Sequence, residues 1–323
     1  MSSDFEKAME SANNALQNED FAQAETLFKA AVWEAERSKD PLTVASTLDR
    51  LAEVYFEQGK YDDAEPIYIR ALGLREQNLN PQHEDIVQSL NNLSAVYFFK
   101  EEYEKAEPIC ARLTEIYEKV LGPDNPEVAT SYNNLALLYA AQHKIGAAEA
   151  LYKRSLELKI KALGEQHPEV GDIYHNLGTL YMSGERNEEA EQHLRKSLAI
   201  LETALGTEHG DLESLISSLA IVLEKLGRGM EAIKMQERIL SIKEINFSPT
   251  HEAVIDAIKT VANAYAMQNK HVEAERYYKR ALAIKERSQA KNTPEGAELL
   301  SHLGQLYRDQ TSCSKRKISS SKP

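Results

Sequence analysis

Leucine returns every 42 residues along this chain, at Leu51, Leu93, Leu135, Leu177 and Leu219, with Val261 and Leu303 continuing the register. An alanine column runs beside it at Ala24, Ala64, Ala106, Ala148, Ala190, Ala232 and Ala274, and only its first interval, 40 residues, departs from the period. A constant period of this size means one supersecondary unit stacked on copies of itself, each burying its apolar face against the next. The length of 323 residues alone suggests about two domains. A stacked array grows without starting a new core, however, so one continuous array is expected. Such an array presents a surface more readily than a catalytic pocket, and its function should be written where the copies differ.

The unit is a pair of helices. From Thr130 to Ala141 the apolar groups fall at Leu135, Leu138 and Tyr139, with small Ala136 beside them, a spacing that gives a buried helical stripe. A break at Gln142-His143-Lys144-Ile145-Gly146 precedes a second helix carrying Ala148, Leu151, Tyr152, Leu156 and Ile160. Ala136, Ala148 and Ser155 allow close approach, and the aromatic residues fill the remaining space. The sister break Gln58-Gly59-Lys60-Tyr61 uses glycine, which tolerates the backbone of a helix end. Pro66 and Pro108 share one column, and the spacing places them in a first helical turn, whose amides have no intrahelical acceptor.

Charge narrows the partners. With 51 Asp and Glu against 38 Lys and Arg, the formal charge is −13. That argues against electrostatic capture of nucleic-acid phosphates or anionic membranes and suits a solvated outer surface. The N-terminal residues show no basic segment followed by an apolar one, and no run reaches the roughly 18–20 apolar residues of a membrane span. Of the two cysteines, Cys110 lies in the packing column of Phe28, Tyr68 and Tyr152, and Cys313 lies in a polar tail. Neither implies a disulfide framework, which fits a reducing, cytoplasmic setting.

Leu-Ala-x-x-Tyr at Leu135–Tyr139, followed by Ala148, Tyr152 and Ser155, resembles the tetratricopeptide repeat family. That unit usually has about 34 residues. The added length here is a connector, seen as Leu121-Gly122-Pro123-Asp124-Asn125-Pro126-Glu127-Val128 and Leu163-Gly164-Glu165-Gln166-His167-Pro168-Glu169-Val170. Looser copies begin at Leu205 and Phe247. Together with Asn133-Asn134-Leu135-Ala136 and the run Ala148–Leu156, the pattern is similar to the long-repeat subfamily typified by kinesin light chain, over roughly Val44 to Arg287. The resemblance implies an all-α, right-handed superhelical solenoid of tandem helix-turn-helix units. Kinesin light chains carry a heptad coiled coil before their repeats. Here the first helical pair begins within the first few residues, so a motor-subunit role is not expected from the resemblance.

The expected organisation is a degenerate helical pair over 1–40, the 42-residue array over 41–288, a capping helix over 289–310 and a disordered tail over 311–323. The last unit supplies only a first helix, Ala297 to Asp309, in which Leu303 and Tyr307 are expected to cover the apolar face of the preceding helix. The tail has too little apolar content to fold, and its Lys315-Arg316-Lys317 cluster is a short basic motif of low specificity.

Chemistry is hard to find. His83, His167, His209 and His251 share one connector column, with Asn125 and Thr293 in other copies. Helices packed at 8–10 Å separate successive members by roughly 15–20 Å, far beyond shared ligation of one ion. These residues are expected to cap helix starts. No phosphate-binding glycine loop, nucleophile elbow or Cys-x-x-Cys pair occurs. No catalytic residue, metal or cofactor is expected.

The first helices carry a second stripe. Beside the packed Leu90, Leu93, Ser94 and Tyr97 lie Gln88, Asn91, Asn92, Ala95 and Phe99, with counterparts at Thr130, Asn133, Asn134, Leu137 and Ala141 and at Asp172, His175, Asn176, Thr179 and Ser183. In the family these helices line the concave surface and their Asn residues contact peptide backbone, so the resemblance implies a groove here. Side-chain amides donate and accept at once, which suits an extended peptide; they could equally satisfy one another as an internal ladder. Apolar Phe98, Phe99, Leu137 and Met182 share the region. The candidate peptide-binding set is therefore Asn91, Asn92, Phe98, Phe99, Asn133, Asn134, Leu137, His175, Asn176 and Met182. Cations are few on this face, with Lys225 and Lys259 further along, so neutral or apolar segments suit it. The expected function is a non-catalytic scaffold or adaptor for a protein or peptide partner. The alternatives are a regulatory sensor whose superhelix closes on a small peptide or metabolite, and, more distantly, an unrecognised enzyme. Self-association through the outer faces is left open.

Overall fold

The computed structural model describes residues 3–287 and 297–308, and all of its regular structure is helical. Its contacts divide it into two compact units, Met1–Ala162 and Leu163–Pro323. The first holds four helical pairs: α1 (Ser3–Gln17) with α2 (Phe21–Ser38), α3 (Pro41–Glu57) with α4 (Tyr61–Asn78), α5 (Glu84–Phe99) with α6 (Tyr103–Leu121), and α7 (Pro126–Ala141) with α8 (Ile145–Leu163). The second holds α9 (Pro168–Ser183) with α10 (Asn187–Leu205), α11 (Glu213–Lys225) with α12 (Gly229–Asn246), α13 (Glu252–Met267) with α14 (His271–Arg287), and a further helix, α15, over 297–308. A short 3-10 turn, Gly210–Leu212, leads into α11.

The sequence columns are the core. Every member of the alanine column, from Ala24 to Ala274, is fully buried, and every member of the leucine column from Leu51 to Leu303 is buried. Alanine is required because the two helices of a pair touch there. Ser155 serves the same purpose, its hydroxyl donating to the Ala129 carbonyl oxygen at 2.6 Å across the α7–α8 contact.

Each turn within a pair reverses the chain through one left-handed residue. Gly59 (φ 70°) and Gly227 (φ 74°) fill that position twice, but Glu19, Glu101, His143, Glu185 and Asn269 fill it elsewhere with φ of 57–59°. The turn at His143 is shorter than the spacing suggests, because α8 already starts at Ile145. Pro66 and Pro108 are also displaced from expectation. α4 begins at Tyr61 and α6 at Tyr103, so both prolines lie in the second turn, inside the helix, where each removes one backbone hydrogen bond. The acidic first turns, Asp62-Asp63 and Glu104, favour the earlier start through the helix dipole.

The connectors end their helices in two ways. Where glycine is available the helix runs to the leucine, and Gly122 (φ 84°, ψ 151°) or Gly206 (φ 89°, ψ 158°) takes a conformation that is essentially restricted to glycine. Where Asn80 and Ser248 replace it, the helix stops one residue sooner and Leu79 or Phe247 turns extended. The next helix then starts on a side-chain cap. Nδ1 of His83, His167, His209 and His251 accepts the amide two residues on at 3.2–3.3 Å, and Asn125 Oδ1 does the same at 2.8 Å. The histidine column is a set of N-caps.

In the second unit Leu299, Leu303 and Leu306 of α15 are buried in one cluster with Val254, Ile258, Ala274 and Tyr278. Tyr307 does not join them. It is 41% exposed, and its hydroxyl donates to Glu275 Oε1 at 2.7 Å, because position 307 lies on the outer shoulder of the helix. Thr293, Cys313 and the Lys315-Arg316-Lys317 cluster lie outside the described residues.

Candidate functional site

Within the first unit, α5, α6 and α7 enclose a hollow of about 490 Å³. It brings together five of the ten residues singled out from the sequence: Asn91, Phe98 and Phe99 from α5, and Asn134 and Leu137 from α7. Its floor is apolar, built by Leu113 and Tyr117 of α6 with Leu138 of α7. The side-chain amides of Asn91 and Asn134 make no hydrogen bond with other described residues, so their donors and acceptors stay available at the rim.

α6 lines the hollow with Cys110, Leu113 and Tyr117, which the stripe on the first helices does not predict. Its signal is in the sequence nonetheless. Cys110 stands in the column of Phe28, Tyr68 and Tyr152, and where those residues carry rings it leaves only a thiol on the hollow's wall. The Cys110 Sγ lies 2.8 Å from Ser94 Oγ. Burial pushes the thiol's pKa up, which keeps it protonated and a poor nucleophile.

The second stripe is not one face. Asn91 and Asn92 are adjacent on a helix, about 100° apart, and they fall on opposite shoulders of α5. Asn92 lines a separate hollow toward α3 and α4, and its Oδ1 accepts from Gln88 Nε2 at 2.8 Å. Asn133 is engaged elsewhere in the protein. Phe99 is 56% exposed and stacks on Tyr61 with ring centroids 5.5 Å apart, while Phe56, Phe98 and Tyr103 pack edge-on in the same cluster. Phe99 is thereby held at the lip by rings from the neighbouring repeat.

His175, Asn176 and Met182 stand on α9 of the second unit, each half-buried. Burial holds the His175 imidazole below its ordinary pKa by disfavouring its charged form. Among the described residues no group of His, Cys, Asp and Glu gathers to hold a metal ion, and no helix is long and apolar enough to cross a membrane.

Tandem helical pairs on a 42-residue period define an all-α repeat protein. The chain belongs to the tetratricopeptide repeat family, whose model matches residues 43–109, 87–161, 147–203 and 211–287. Members of that family generally mediate protein–protein interaction, and the scaffold is typically non-enzymatic. Among solved structures, BtubC (BKLC) from P. vanneervenii is similar at 24% identity, with a TM-score of 0.59 over 70% of this chain and 92% of that one. A putative kinesin light chain from Podosopora anserina with nearly identical repeats aligns at 22% identity and a TM-score of 0.56, over 65% of this chain and 98% of that one. A tetratricopeptide repeat protein from Parabacteroides merdae aligns at 19% identity and a TM-score of 0.60, over 93% and 98%. At these identities the likeness is one of fold. A search of curated proteins gives no match.

Proposed function

We propose that the chain is a non-catalytic scaffold or adaptor whose first unit captures an extended segment of a partner protein in the hollow between α5, α6 and α7. The observation that carries this reading is the pair of unengaged amides, Asn91 and Asn134, above a floor of Leu113, Tyr117 and Leu138. The amides would hold the segment's main chain, donating to its carbonyls and accepting from its amides, while one large apolar side chain fills the floor. An apolar pocket with a few convergent polar groups is the usual form of a recognition site. His175, Asn176 and Met182 form a separate candidate surface on the second unit, to be tested with its own variants.

Two variants test the reading from opposite sides. Asn91→Ala with Asn134→Ala should weaken partner binding by about 1–3 kcal/mol in total, at about 0.5–1.5 for each hydrogen bond, with folding unchanged. Cys110→Phe should supply the ring that Tyr68 and Tyr152 carry in the neighbouring repeats, retain the fold and narrow the apolar floor enough to weaken binding. Normal binding by both variants, or a double variant that binds normally yet melts early, would assign these residues a structural role.

A further inference from the structure

The hollow toward α3 and α4, about 470 Å³, is the same site one repeat earlier. Shifting its lining by 42 residues superimposes the two: Phe56 on Phe98, Tyr68 on Cys110, Gln88 on Thr130, Asn92 on Asn134. A charged residue stands at four of the shared positions where the later hollow has none. Asp49 replaces Asn91, Glu53 replaces Ala95, Glu57 replaces Phe99, and Arg75 replaces Tyr117. An amide-and-apolar pocket has become a charged one.

Its cations are already committed. The Arg75 guanidinium, almost wholly buried, donates to Asp49 Oδ2 and to Ser89 Oγ. Arg50 pairs with Glu53, and its Nε and Nη2 donate to Asn13 Oδ1 at 3.1 and 2.7 Å. The anions are not. Asp49 is 9% exposed, yet its Oδ1 has no hydrogen-bond partner, and Glu57 at the exposed rim makes no ion pair with the described residues. Buried carboxylate oxygens are nearly always hydrogen-bonded, because leaving one without a donor forfeits its hydration for nothing. Burial accordingly pushes the Asp49 carboxyl above its ordinary pKa, against the pull of Arg75, and Asp85 and Glu53 push in the same direction.

We propose that this hollow receives a lysine or arginine side chain of the partner segment, so that the bound sequence is basic on one side of its large apolar residue. An ammonium or guanidinium supplies the positive charge Glu57 faces, and Asp49 can accept from it only by turning its enclosed Oδ1 toward the hollow. The proposal rests on the groove reading above and adds the chemistry of its partner. A chain of formal charge −13 also steers a basic segment toward it. Extended peptide advances about 3.3 Å per residue, and neighbouring repeats lie roughly 15–20 Å apart, so the two side chains should be separated by roughly five to six residues.

The test is a selection of random linear peptides displayed against the full-length chain. Fluorescein-labelled winners are then titrated by anisotropy into wild type, Glu57→Lys, Asp49→Asn and the Asn91→Ala/Asn134→Ala pair. Winners should carry Lys or Arg at that spacing from a large apolar residue. They should lose about tenfold or more in affinity to Glu57→Lys, equivalent to at least about 1.4 kcal/mol. Acetylating the lysine should have the same effect. Glu57 is at the rim, so its reversal leaves the fold intact even if Asp49→Asn, beside buried Arg75, does not fold. Winners that are neutral or acidic, or that bind Glu57→Lys as tightly as wild type, overturn the proposal. If those peptides still respond to the Asn91/Asn134 pair, the groove reading survives alone. Failure to enrich any peptide refutes both.

Discussion

Two glycine-to-alanine substitutions should change stability in opposite directions, and the structure sets the sizes. Gly73 lies inside α4 with ordinary helical backbone, and a Cβ there would meet nothing within 4 Å. Alanine at 73 should stabilise by about 0.5–1 kcal/mol, since glycine in a helix interior costs that much in lost chain entropy. Gly206 also has open space around the added Cβ, but its φ of 89° and ψ of 158° are nearly closed to other residues. The strain there is about 1–3 kcal/mol, offset by about 0.4–1 from a stiffer unfolded chain. The net loss is about 0.5–2 kcal/mol. An escape route limits it: the connectors at Asn80 and Ser248 show the helix stopping one residue earlier. Urea unfolding followed by circular dichroism should place the Gly73→Ala midpoint above wild type and the Gly206→Ala midpoint below it. Because neither Cβ touches anything, packing cannot explain a difference. A Gly206→Ala protein as stable as Gly73→Ala would refute the backbone argument.

Three further outcomes follow from local contacts. His167→Ala should lose about 1 kcal/mol of stability in urea titration, whereas His167→Asn should lose little, because Asn125 already performs the same cap. We propose that α15 caps the array. A chain cut before Thr293 should then unfold earlier and aggregate, forfeiting about 1.5–3 kcal/mol for each of Leu299, Leu303 and Leu306, while a cut after Gln310 should leave the melting temperature unchanged. Lys144 and Gln142 both donate to Glu107, at 2.7 and 3.1 Å, and hold its carboxyl below the usual range. A depressed carboxylate contributes stability above its unfolded pKa and loses it as pH falls through the folded one. Glu107→Gln should therefore flatten part of the acid limb in a pH series of urea midpoints.

The helices are legible in the sequence because burial repeats. The Leu51-to-Leu303 and Ala24-to-Ala274 columns mark the two contacting faces wherever they occur. The turns are less legible, since Glu101, His143 and Asn269 adopt the conformation that glycine would advertise. Pro66 and Pro108 mislead for a related reason: proline announces a helix start, but the acidic turn before it begins the helix sooner. Around the candidate site, spacing draws the stripe that holds Asn91, Asn134 and Leu137, and the family resemblance supplies the face it belongs to. Spacing does not separate Asn91 from Asn92, because side by side in sequence means opposite shoulders on α5. Cys110 hides for the opposite reason. It is buried like its ring-bearing column mates, and only its smaller volume distinguishes it.

A periodic receptor has a phase problem. An extended ligand bound to identical repeats gains nearly as much after sliding by one unit, so its alignment is weakly determined and mismatched complexes compete. If the two hollows bind one segment as proposed, the four exchanges between the hollow at Asp49 and the hollow at Asn91 would remove that degeneracy. A slid ligand would place its apolar side chain among carboxylates and its cation over Leu113 and Leu138, and each mismatch strands a desolvated group. On the proposed reading the array would measure where along a partner its own repeats begin, with translational selectivity arising from changes at equivalent positions rather than from any new loop.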